Sequence, residues 1–373
     1  MHLFKKNHFI CSINQFKLLN MKKLHLLFAL LTFGLFISCS KDNNNGGDGG
    51  SSIQSITITA TPTEVYTGDN IQFTVKGNNN ADLSTSAVIY VNTTPLVTNF
   101  YTPTTAGTLS VYAVYQVSST VSITSPTIQI PVAQGISFNK RVLIEDYTGT
   151  WCQYCPRVAY AISQVRLQTT NSVVVAIHRT SGSAIDPYNF SAASALETMI
   201  GLQGYPTGML NRKTTWNYPE NNYISQPVNL TTGTNPRIGL AMTNSVSGST
   251  ATVQVNVKFG KDFTGLKLVV YALEDNLVYN QTNSTSFYGG VNPIVNFDYD
   301  DVLRGFLTSS ILGEDITGTT NLNGVYTKSF TYTIPAGTQA SNLHFAAFVL
   351  DSTGKALNSR DASSTATQTF EVQ

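Results

Sequence analysis

Residues 142–156 read VLIEDYTGTWCQYCP, and this run decides how the middle of the chain folds. Its first three residues, 142–144, are continuously apolar, which is typical of a strand buried on both faces. Apolar side chains recur at helical spacing over 157–167, and a second apolar run follows at 173–177. The order strand, helix, strand predicts an α/β domain, which we place at residues 136–232.

Two cysteines, Cys152 and Cys155, lie between the first strand and the helix. Thiols at this spacing can close and reopen a small disulfide ring, and can thereby pass two electrons to another dithiol. We place Cys152 at the start of the helix, where unpaired backbone N–H groups and the helix dipole favour a thiolate. We therefore expect Cys152 to attack a substrate disulfide and Cys155, about one turn further in, to resolve the mixed disulfide.

The other two cysteines, Cys11 and Cys39, lie in an N-terminal leader. A basic segment begins at Met21, an uncharged apolar run covers 24–37, and Cys39 follows directly. This order predicts a lipoprotein signal peptide over 1–38, with Cys39 as the acylated first residue of the mature chain. The alternative, a transmembrane anchor, needs about 20 apolar residues, and this run is shorter.

Removal of the leader leaves one lipid-blocked cysteine, Cys39, and the pair Cys152 and Cys155. Secreted chains that depend on structural disulfides usually carry more cysteines, so we expect the pair to be redox-active. Ser40 resembles the residue found after the lipidated cysteine in lipoproteins sorted to the outer membrane. We predict an outer-membrane lipoprotein, periplasmic or surface-exposed, held by lipid and by a flexible linker over 39–52.

The flanking parts of the chain have the pattern of β domains. The 373 residues include 12% charged residues and carry a net charge of +1, with no basic run that would mark a nucleic-acid partner. Apolar residues alternate with period two over 53–133, which predicts an immunoglobulin-like sandwich. Alternation returns over 235–373 and predicts a second β-sandwich that is jelly-roll-like. The fold class expected is therefore multidomain, α/β plus all-β.

The segment Glu145–Pro156 resembles the active-site segment of the thioredoxin superfamily. The resemblance implies a thioredoxin-like fold for residues 136–232. Asp146 stands six positions before the first cysteine, where thioredoxins place a buried carboxylate. The resemblance therefore implies that Asp146 moves the proton of Cys155. The residues between the cysteines, Gln153 and Tyr154, differ from those of thioredoxins, so no redox potential is carried over.

A second element, Gly201–Thr207, resembles the cis-proline loop of the same superfamily. In that fold the loop packs against the disulfide, and the residue before the proline binds the backbone of a peptide substrate. The resemblance implies that Tyr205 and Pro206 bind substrate, together with Trp151 beside the first cysteine.

Three segments, 143–156, 204–212 and 296–304, also resemble the Omp-twenty-eight-related outer-membrane lipoproteins of Gram-negative bacteria. This resemblance runs from about Lys140 to the C-terminus and implies an outer-membrane or surface location. Adhesin or receptor roles have been suggested for members. The third segment often carries histidines in the family where this chain has Asp300 or a neighbour.

We predict no metal and no cofactor. Zinc would need ligands beside the CxxC pair, but the mature chain has only His178 and His344, in different predicted domains. Three acidic residues in the long connection after 280 could offer oxygen ligands to calcium, but they lack the EF-hand spacing and favour a solvated loop: Asp298, Asp300 and Asp301.

Two further residues have alternative interpretations. His178, at the end of the second strand, either lies near the thiols and tunes Cys152 or is a partly buried, inert strand-end residue. Arg304 could pair with one of the three acidic residues and be structural.

Two functions remain open at this stage. The first is thiol–disulfide exchange with extracytoplasmic protein thiols or disulfides, carried by Cys152, Cys155 and Asp146. The second is a surface adhesin or receptor that binds a surface ligand and uses the thioredoxin-like domain as a non-catalytic scaffold. A wide apolar groove beside Cys152 would favour the first, and a buried, permanently closed disulfide would favour the second.

Overall fold

The computed structural model of the protein describes residues 52–232 and 236–373. The predicted signal peptide over 1–38, the lipidation site Cys39 and most of the linker over 39–52 lie outside the described residues. Strands make up most of the regular structure in the described ranges. No helix within these ranges has the length and apolar character needed to cross a membrane.

Two facing sheets form the first part of the described chain. Their strands are β1 (Ile56–Thr61), β2 (Val65–Tyr66), β3 (Ile71–Gly77), β4 (Val88–Val91), β5 (Thr94–Pro95), β6 (Phe100–Tyr101), β7 (Gly107–Gln116), β8 (Ser122–Thr124) and β9 (Ile128–Ala133). One sheet has the order β1-β3-β6, and the other has the order β2-β9-β7-β4-β5 with β8 beside β7. Alternate side chains from both sheets, such as Phe73 and Val111, form one buried core. This all-β arrangement agrees with the immunoglobulin-like sandwich predicted over 53–133.

The remaining elements follow in chain order. They are β10 (Val142–Thr148), α1 (Pro156–Gln168), β11 (Ser172–His178), α2 (Ser194–Ile200), β12 (Thr207–Leu210), β13 (Thr214–Thr215), α3 (Ser225–Asn229), β14 (Ile238–Ser247), β15 (Thr250–Phe259), β16 (Lys267–Glu274), β17 (Leu277–Gln281), β18 (Ile294–Tyr299), β19 (Val302–Phe306), β20 (Glu314–Asp315), β21 (Val325–Thr333), β22 (Leu343–Leu350) and β23 (Ala356–Ser363). Single 3₁₀ turns lie at Ser191–Ala193, Glu220–Asn222, Tyr288–Gly290 and Ala340–Asn342.

The predicted strand–helix–strand unit is present and belongs to a nine-stranded sheet. β10 and β11 are parallel, α1 connects them, and β12 pairs antiparallel with β10. The order is β13-β12-β10-β11-β19-β16-β22-β23, with β20 beside β16. β19 continues the sheet at Ala176 opposite Val302, and so covers the edge that β11 would otherwise expose. The predicted segments 136–232 and 235–373 therefore share one sheet rather than forming one each.

The expected C-terminal sandwich has this shared sheet as one of its layers. The other layer is the antiparallel sheet β14-β15-β21. Side chains such as Met242 and Val255 from that layer meet Val270 and Phe345 from the large sheet in one buried core. The layer pairing is as predicted, but a self-contained jelly roll is not formed, because β16, β22 and β23 extend the sheet of β10 and β11.

Side chains along β10 alternate between two buried environments. Val142 and Ile144 pack against α1, whereas Leu143 and Tyr147 enter a core on the opposite face of the sheet. Every residue of β10 is buried, including the polar residues that follow the apolar run 142–144. The alternation sends the adjacent carboxylates of Glu145 and Asp146 to opposite faces.

Glu145 forms a fully buried ion pair that connects three strands. Arg212, just after β12, donates from Nη2 to Glu145 Oε1 at 2.7 Å, and both side chains are 0% exposed. The same Nη2 donates to the hydroxyl of Tyr271 on β16 at 2.7 Å, and that hydroxyl donates to the carbonyl of Ile311 at 2.6 Å. The guanidinium also lies 4.7 Å from the ring centre of Phe348 on β22. One cation thus contacts side chains on both sides of the predicted domain boundary.

We predict that Arg212→Met lowers the free energy of unfolding by about 3–5 kcal/mol, because it leaves the charge of Glu145 buried without a partner. Replacing both residues, as Glu145→Leu with Arg212→Leu, is expected to cost less than the single change. Urea unfolding followed by fluorescence measures both.

Lys267→Ala is the matched control, since the Lys267–Asp315 pair is solvent-exposed at 46% and 75%. Its loss should change stability by less than about 1 kcal/mol. An Arg212→Met variant that is no less stable than Lys267→Ala would contradict the assignment.

Candidate functional site

The two cysteines form a disulfide in the connection between β10 and α1. Cys152 is 4% exposed and Cys155 is 2% exposed, so the bond is covered. Helix α1 begins at Pro156, and Cys155 occupies the capping position before it. The helix thus starts later than the sequence analysis placed it, because the chain makes a turn over 153–155 first. The backbone N–H groups of the first helical turn lie closer in sequence to Cys155 than to Cys152.

Asp146 lies on the α1 side of the sheet and is 4% exposed. Together with Cys155 it lines a cavity of about 430 Å³ between α1, the ends of β10 and β11, and the β17–β18 hairpin. Its Oδ1 atom is buried and has no hydrogen-bond partner among the described residues. Burial, and secondarily the charge of Glu220, raises the pKa of Asp146 to about 8, while Arg157 opposes the shift. A carboxyl group that holds its proton near neutral pH therefore faces the same cavity as the second cysteine.

The predicted proline loop lies beside the cysteine loop. The Tyr205–Pro206 peptide bond is cis. The rings of Tyr205 and Trp151 meet edge to face, with centres 5.5 Å apart, and Trp151 Nε1 donates to the carbonyl of Arg179 at 2.7 Å. The hydroxyl of Tyr205 donates to Glu197 on α2. The structure thus places Trp151 beside Tyr205 and the cis bond that precedes Pro206.

His178 supports the loop that carries the cysteines. It is 1% exposed, and its Nδ1 lies 2.9 Å from Asp186 Oδ2. The same carboxylate oxygen accepts a hydrogen bond from the backbone N–H of Thr150 at 2.7 Å. Burial alone would raise the pKa of Asp186, but the hydrogen bonds and charge of His178 and the N–H of Thr150 hold it below the usual range. His178 is therefore fully buried and positions the loop through Asp186, instead of being a partly buried strand-end residue.

The β17–β18 hairpin covers the cysteine loop, a contact that the sequence pattern did not predict. Gln281 Nε2 donates to the carbonyl of Cys152 at 2.9 Å, and Gln281 Oε1 accepts from the hydroxyl of Tyr299 at 2.7 Å. Two backbone bonds add to this, from Thr282 N to Thr150 O at 2.9 Å and from Ser284 N to Gln153 O at 2.8 Å. The cysteine loop is thus paired with residues 281–284 along its length.

An aromatic contact fixes the tip of this hairpin on the helix. The rings of Phe287 and Tyr160 stack with centres 4.3 Å apart, and Tyr288 meets Tyr160 edge to face at 6.3 Å. In the sequence this region was a long, turn-rich connection. Val278 and Val295 on its two strands are exposed to solvent. Apolar residues therefore do not mark a buried face here, and the sequence pattern does not predict a contact with the cysteine loop.

The three acidic residues considered for calcium do not act as one set. Asp298 and Asp300 are exposed, and Asp300 Oδ1 accepts a hydrogen bond from the N–H of Asn276 at 3.0 Å. Asp301 is buried and pairs with Arg166 of α1 at 2.5 Å. Arg304 pairs with Glu274 at 3.0 Å instead of with one of these acidic residues. Strand pairing explains the Arg304–Glu274 contact, because Glu274 of β16 lies opposite Val302, which is two residues before Arg304 on β19.

One protein-family model matches the second half of the chain. The model of the family described as "Outer membrane protein Omp28" matches residues 193–368. The C-terminal segment resembles Omp28. The match confirms this resemblance for a little under half of the chain and begins after the cysteine pair. It also agrees with the predicted outer-membrane location.

Solved structures give weaker similarities. HBP35 of Porphyromonas gingivalis is 19% identical with a TM-score of 0.46, covering 62% of this chain and 79% of that one. A protein of Agrobacterium tumefaciens is 11% identical with a TM-score of 0.38, covering 61% and 96%. A domain of the outer membrane lipoprotein Omp28 of P. gingivalis is 18% identical with a TM-score of 0.24, covering 37% and 95%. No curated protein matches the chain.

We predict that the stability of the protein falls as the pH rises from about 4 to about 8 because of Asp146. The folded state holds its proton up to a pKa of about 8, whereas the unfolded state releases it near the ordinary value of 3.8. The folded form therefore loses stability over that window, by at most about 1.4 kcal/mol per pH unit. Asp146→Asn should flatten the slope, measured by urea unfolding at pH 5, 6, 7 and 8.

Asp298→Asn, at an exposed acid of the hairpin, is the control and should leave the slope unchanged. Equal slopes in the wild type and in Asp146→Asn would show that Asp146 is ionised throughout the window.

We also predict that Gln281→Ala speeds reduction of the disulfide by dithiothreitol. The change removes the donor to Cys152 O and the acceptor for Tyr299, worth about 1–2 kcal/mol together. The open state should become roughly 5- to 30-fold more populated. The rate of reduction is measured by quenching samples with an alkylating reagent at successive times.

Val278→Ala, at a solvent-exposed position of the same hairpin, should reduce at the wild-type rate. If both variants behave like the wild type, the hairpin does not limit access to the sulfur atoms.

Proposed function

We propose that this outer-membrane lipoprotein exchanges disulfides with extracytoplasmic protein thiols through a thioredoxin-like unit formed by β10, α1, β11 and β12. The observation that carries the proposal is the buried carboxyl group of Asp146, without a hydrogen-bond partner at Oδ1 and in one cavity with Cys155. Burying a carboxyl group without partners costs free energy, and such groups concentrate at functional sites. A purely structural disulfide has no use for an adjacent proton carrier.

The exchange starts from the disulfide that the structure contains. A substrate thiolate attacks Cys152 Sγ, the Cys152–Cys155 bond breaks, and the electron pair leaves on Cys155. The protonated carboxyl group of Asp146 supplies a proton to that thiolate. A second substrate thiolate then attacks the substrate sulfur of the mixed disulfide and releases Cys152 as a thiolate, so the substrate is oxidised and the cysteine pair is reduced. The reverse sequence reduces a substrate disulfide.

The surroundings of the pair suit a peptide substrate. Trp151 and Tyr205 form an aromatic surface beside the cis peptide bond before Pro206, and all three residues are only partly buried. Aromatic surfaces of this kind contribute to peptide binding through large contact areas. We assign Trp151, Tyr205 and Pro206 to substrate binding, and Cys152, Cys155 and Asp146 to the chemistry.

A second function, binding of a surface ligand with a permanently closed disulfide, is favoured by one observation. Both cysteines are nearly inaccessible, and the hairpin over 277–299 makes hydrogen bonds to their loop. In this case the disulfide stabilises the start of α1, and the two sandwiches carry the binding surfaces.

A redox titration of the chain starting at Ser40 separates the two functions. We expect a reversible two-electron transition between about −270 and −120 mV, with Cys152 alkylated faster than Cys155 in the reduced form. Asp146→Asn should slow exchange with a model dithiol, whereas Asp298→Asn should not. A disulfide that stays closed below about −300 mV would overturn the exchange function and favour the ligand-binding one.

The Cys155→Ser variant gives an independent readout. Its Cys152 should retain a mixed disulfide with a substrate protein, because no resolving thiol is present. Cys152→Ser is the matched control and should retain none.

A further inference from the structure

Three strand ends at one edge of the large sheet bring a histidine and two carboxylates together. Asp275 follows β16, Asp301 precedes β19, and His344 is the second residue of β22. The strand register brings these three residues together, because Glu274 of β16 lies opposite both Val302 and Leu343. Their ligand atoms all lie within 4.8 Å of one another.

The separations suit a metal ion after small side-chain movements. His344 Nε2 lies 3.1 Å from Asp275 Oδ1 and 3.9 Å from Asp301 Oδ1. Two ligand atoms that each lie about 2.1 Å from one zinc ion are about 3.0–3.5 Å apart. The histidine ring faces both oxygen atoms at close to this spacing.

The imidazole nitrogen is the central group of the cluster. His344 is 9% exposed, and its buried Nε2 atom lies 3.1 Å from Asp275 Oδ1, with which it forms an ion pair when the ring is protonated. The neutral ring instead offers the lone pair of this nitrogen to a cation, since metal ligands bind in their deprotonated form. A cation accepts the lone pair of the nitrogen and both oxygen atoms at once.

Neighbouring groups orient the two carboxylates and leave them an excess of negative charge. Arg166 binds Asp301 through Oδ2, and Asp275 Oδ1 also accepts the backbone N–H of Asp301 at 2.8 Å. Asp300 adds a further carboxylate near Arg166. Three carboxylates therefore face one guanidinium and the imidazole of His344, and contacts of this outer kind commonly orient metal ligands.

The cavity lined by Asp146 also reaches one member of this cluster. Asp301 lines it together with Asp300, which is exposed to solvent. An entry path is one of the features that a metal site needs.

We propose that Asp275, Asp301 and His344 bind one divalent first-row transition-metal ion, with zinc as the representative ion. One imidazole nitrogen and two carboxylate oxygens suit this class of ion, and water completes the coordination. The site differs from a calcium site over Asp298, Asp300 and Asp301, since Asp298 takes no part in it.

The test is isothermal titration of zinc chloride into the oxidised chain starting at Ser40. We expect one ion per chain, with the affinity lowered at least tenfold in Asp275→Asn and in His344→Gln. Asp298→Asn is the matched control and should bind as the wild type does. A Cys152→Ser, Cys155→Ser double variant should also bind normally, which excludes the thiols as ligands.

Thermal unfolding of each variant without zinc establishes that it is folded. If a ligand variant does not fold, anomalous diffraction at the zinc edge from wild-type crystals decides, with a peak expected between His344 Nε2 and the two carboxylates. Absence of saturable binding, unchanged affinity in both ligand variants, or a peak elsewhere would overturn the proposal.

Discussion

The buried ion pair between Glu145 and Arg212 is the constraint on which the rest of the structure depends. A guanidinium with no exposed surface needs its carboxylate and the hydroxyl of Tyr271, and each partner comes from a different part of the sheet. Satisfying this cation keeps β12 beside β10 and keeps β16 in the same sheet. The proline loop that leads into β12, and the cysteine loop that leaves β10, are thereby held on a common frame.

Side chains along β10 alternate between the two faces of the sheet, so the adjacent carboxylates of Glu145 and Asp146 have different roles. Glu145 points to the face where Arg212 neutralises it, so it stabilises the sheet. Asp146 points to the other face, where its Oδ1 atom has no such partner in the described chain, and burial raises its pKa to about 8. Two acids with nearly the same chemistry differ because side chains on a strand alternate, and only one of them is available to hold a proton beside Cys155.

Local patterns in the sequence were sufficient for the local parts of this site. The apolar runs of β10 and β11 and the helical spacing of α1 predicted the strand–helix–strand unit, and the cysteine spacing and Pro206 indicated two loops that lie side by side in the structure. The pairing of β11 with β19 could not be predicted in this way, since Ala176 and Val302 are far apart in the chain and nothing in either segment specifies the other. The same holds for Gln281, whose amide is an ordinary polar group until the hairpin brings it to Cys152 O.

The β17–β18 hairpin is important for both candidate functions, because it covers the cysteine loop. Its backbone bonds to Thr150 and Gln153 are of the kind that an extended peptide makes when it pairs with an exposed segment. A substrate peptide that takes over these bonds offsets the loss of the hairpin contacts, so covering the disulfide does not by itself prevent exchange. Side-chain contacts still oppose opening: Phe287 and Tyr288 contact Tyr160, Tyr279 and Tyr299 contact Tyr188, and the amide of Gln281 donates to Cys152 O. The balance between exchange and a closed scaffold therefore depends on whether a partner can replace those contacts.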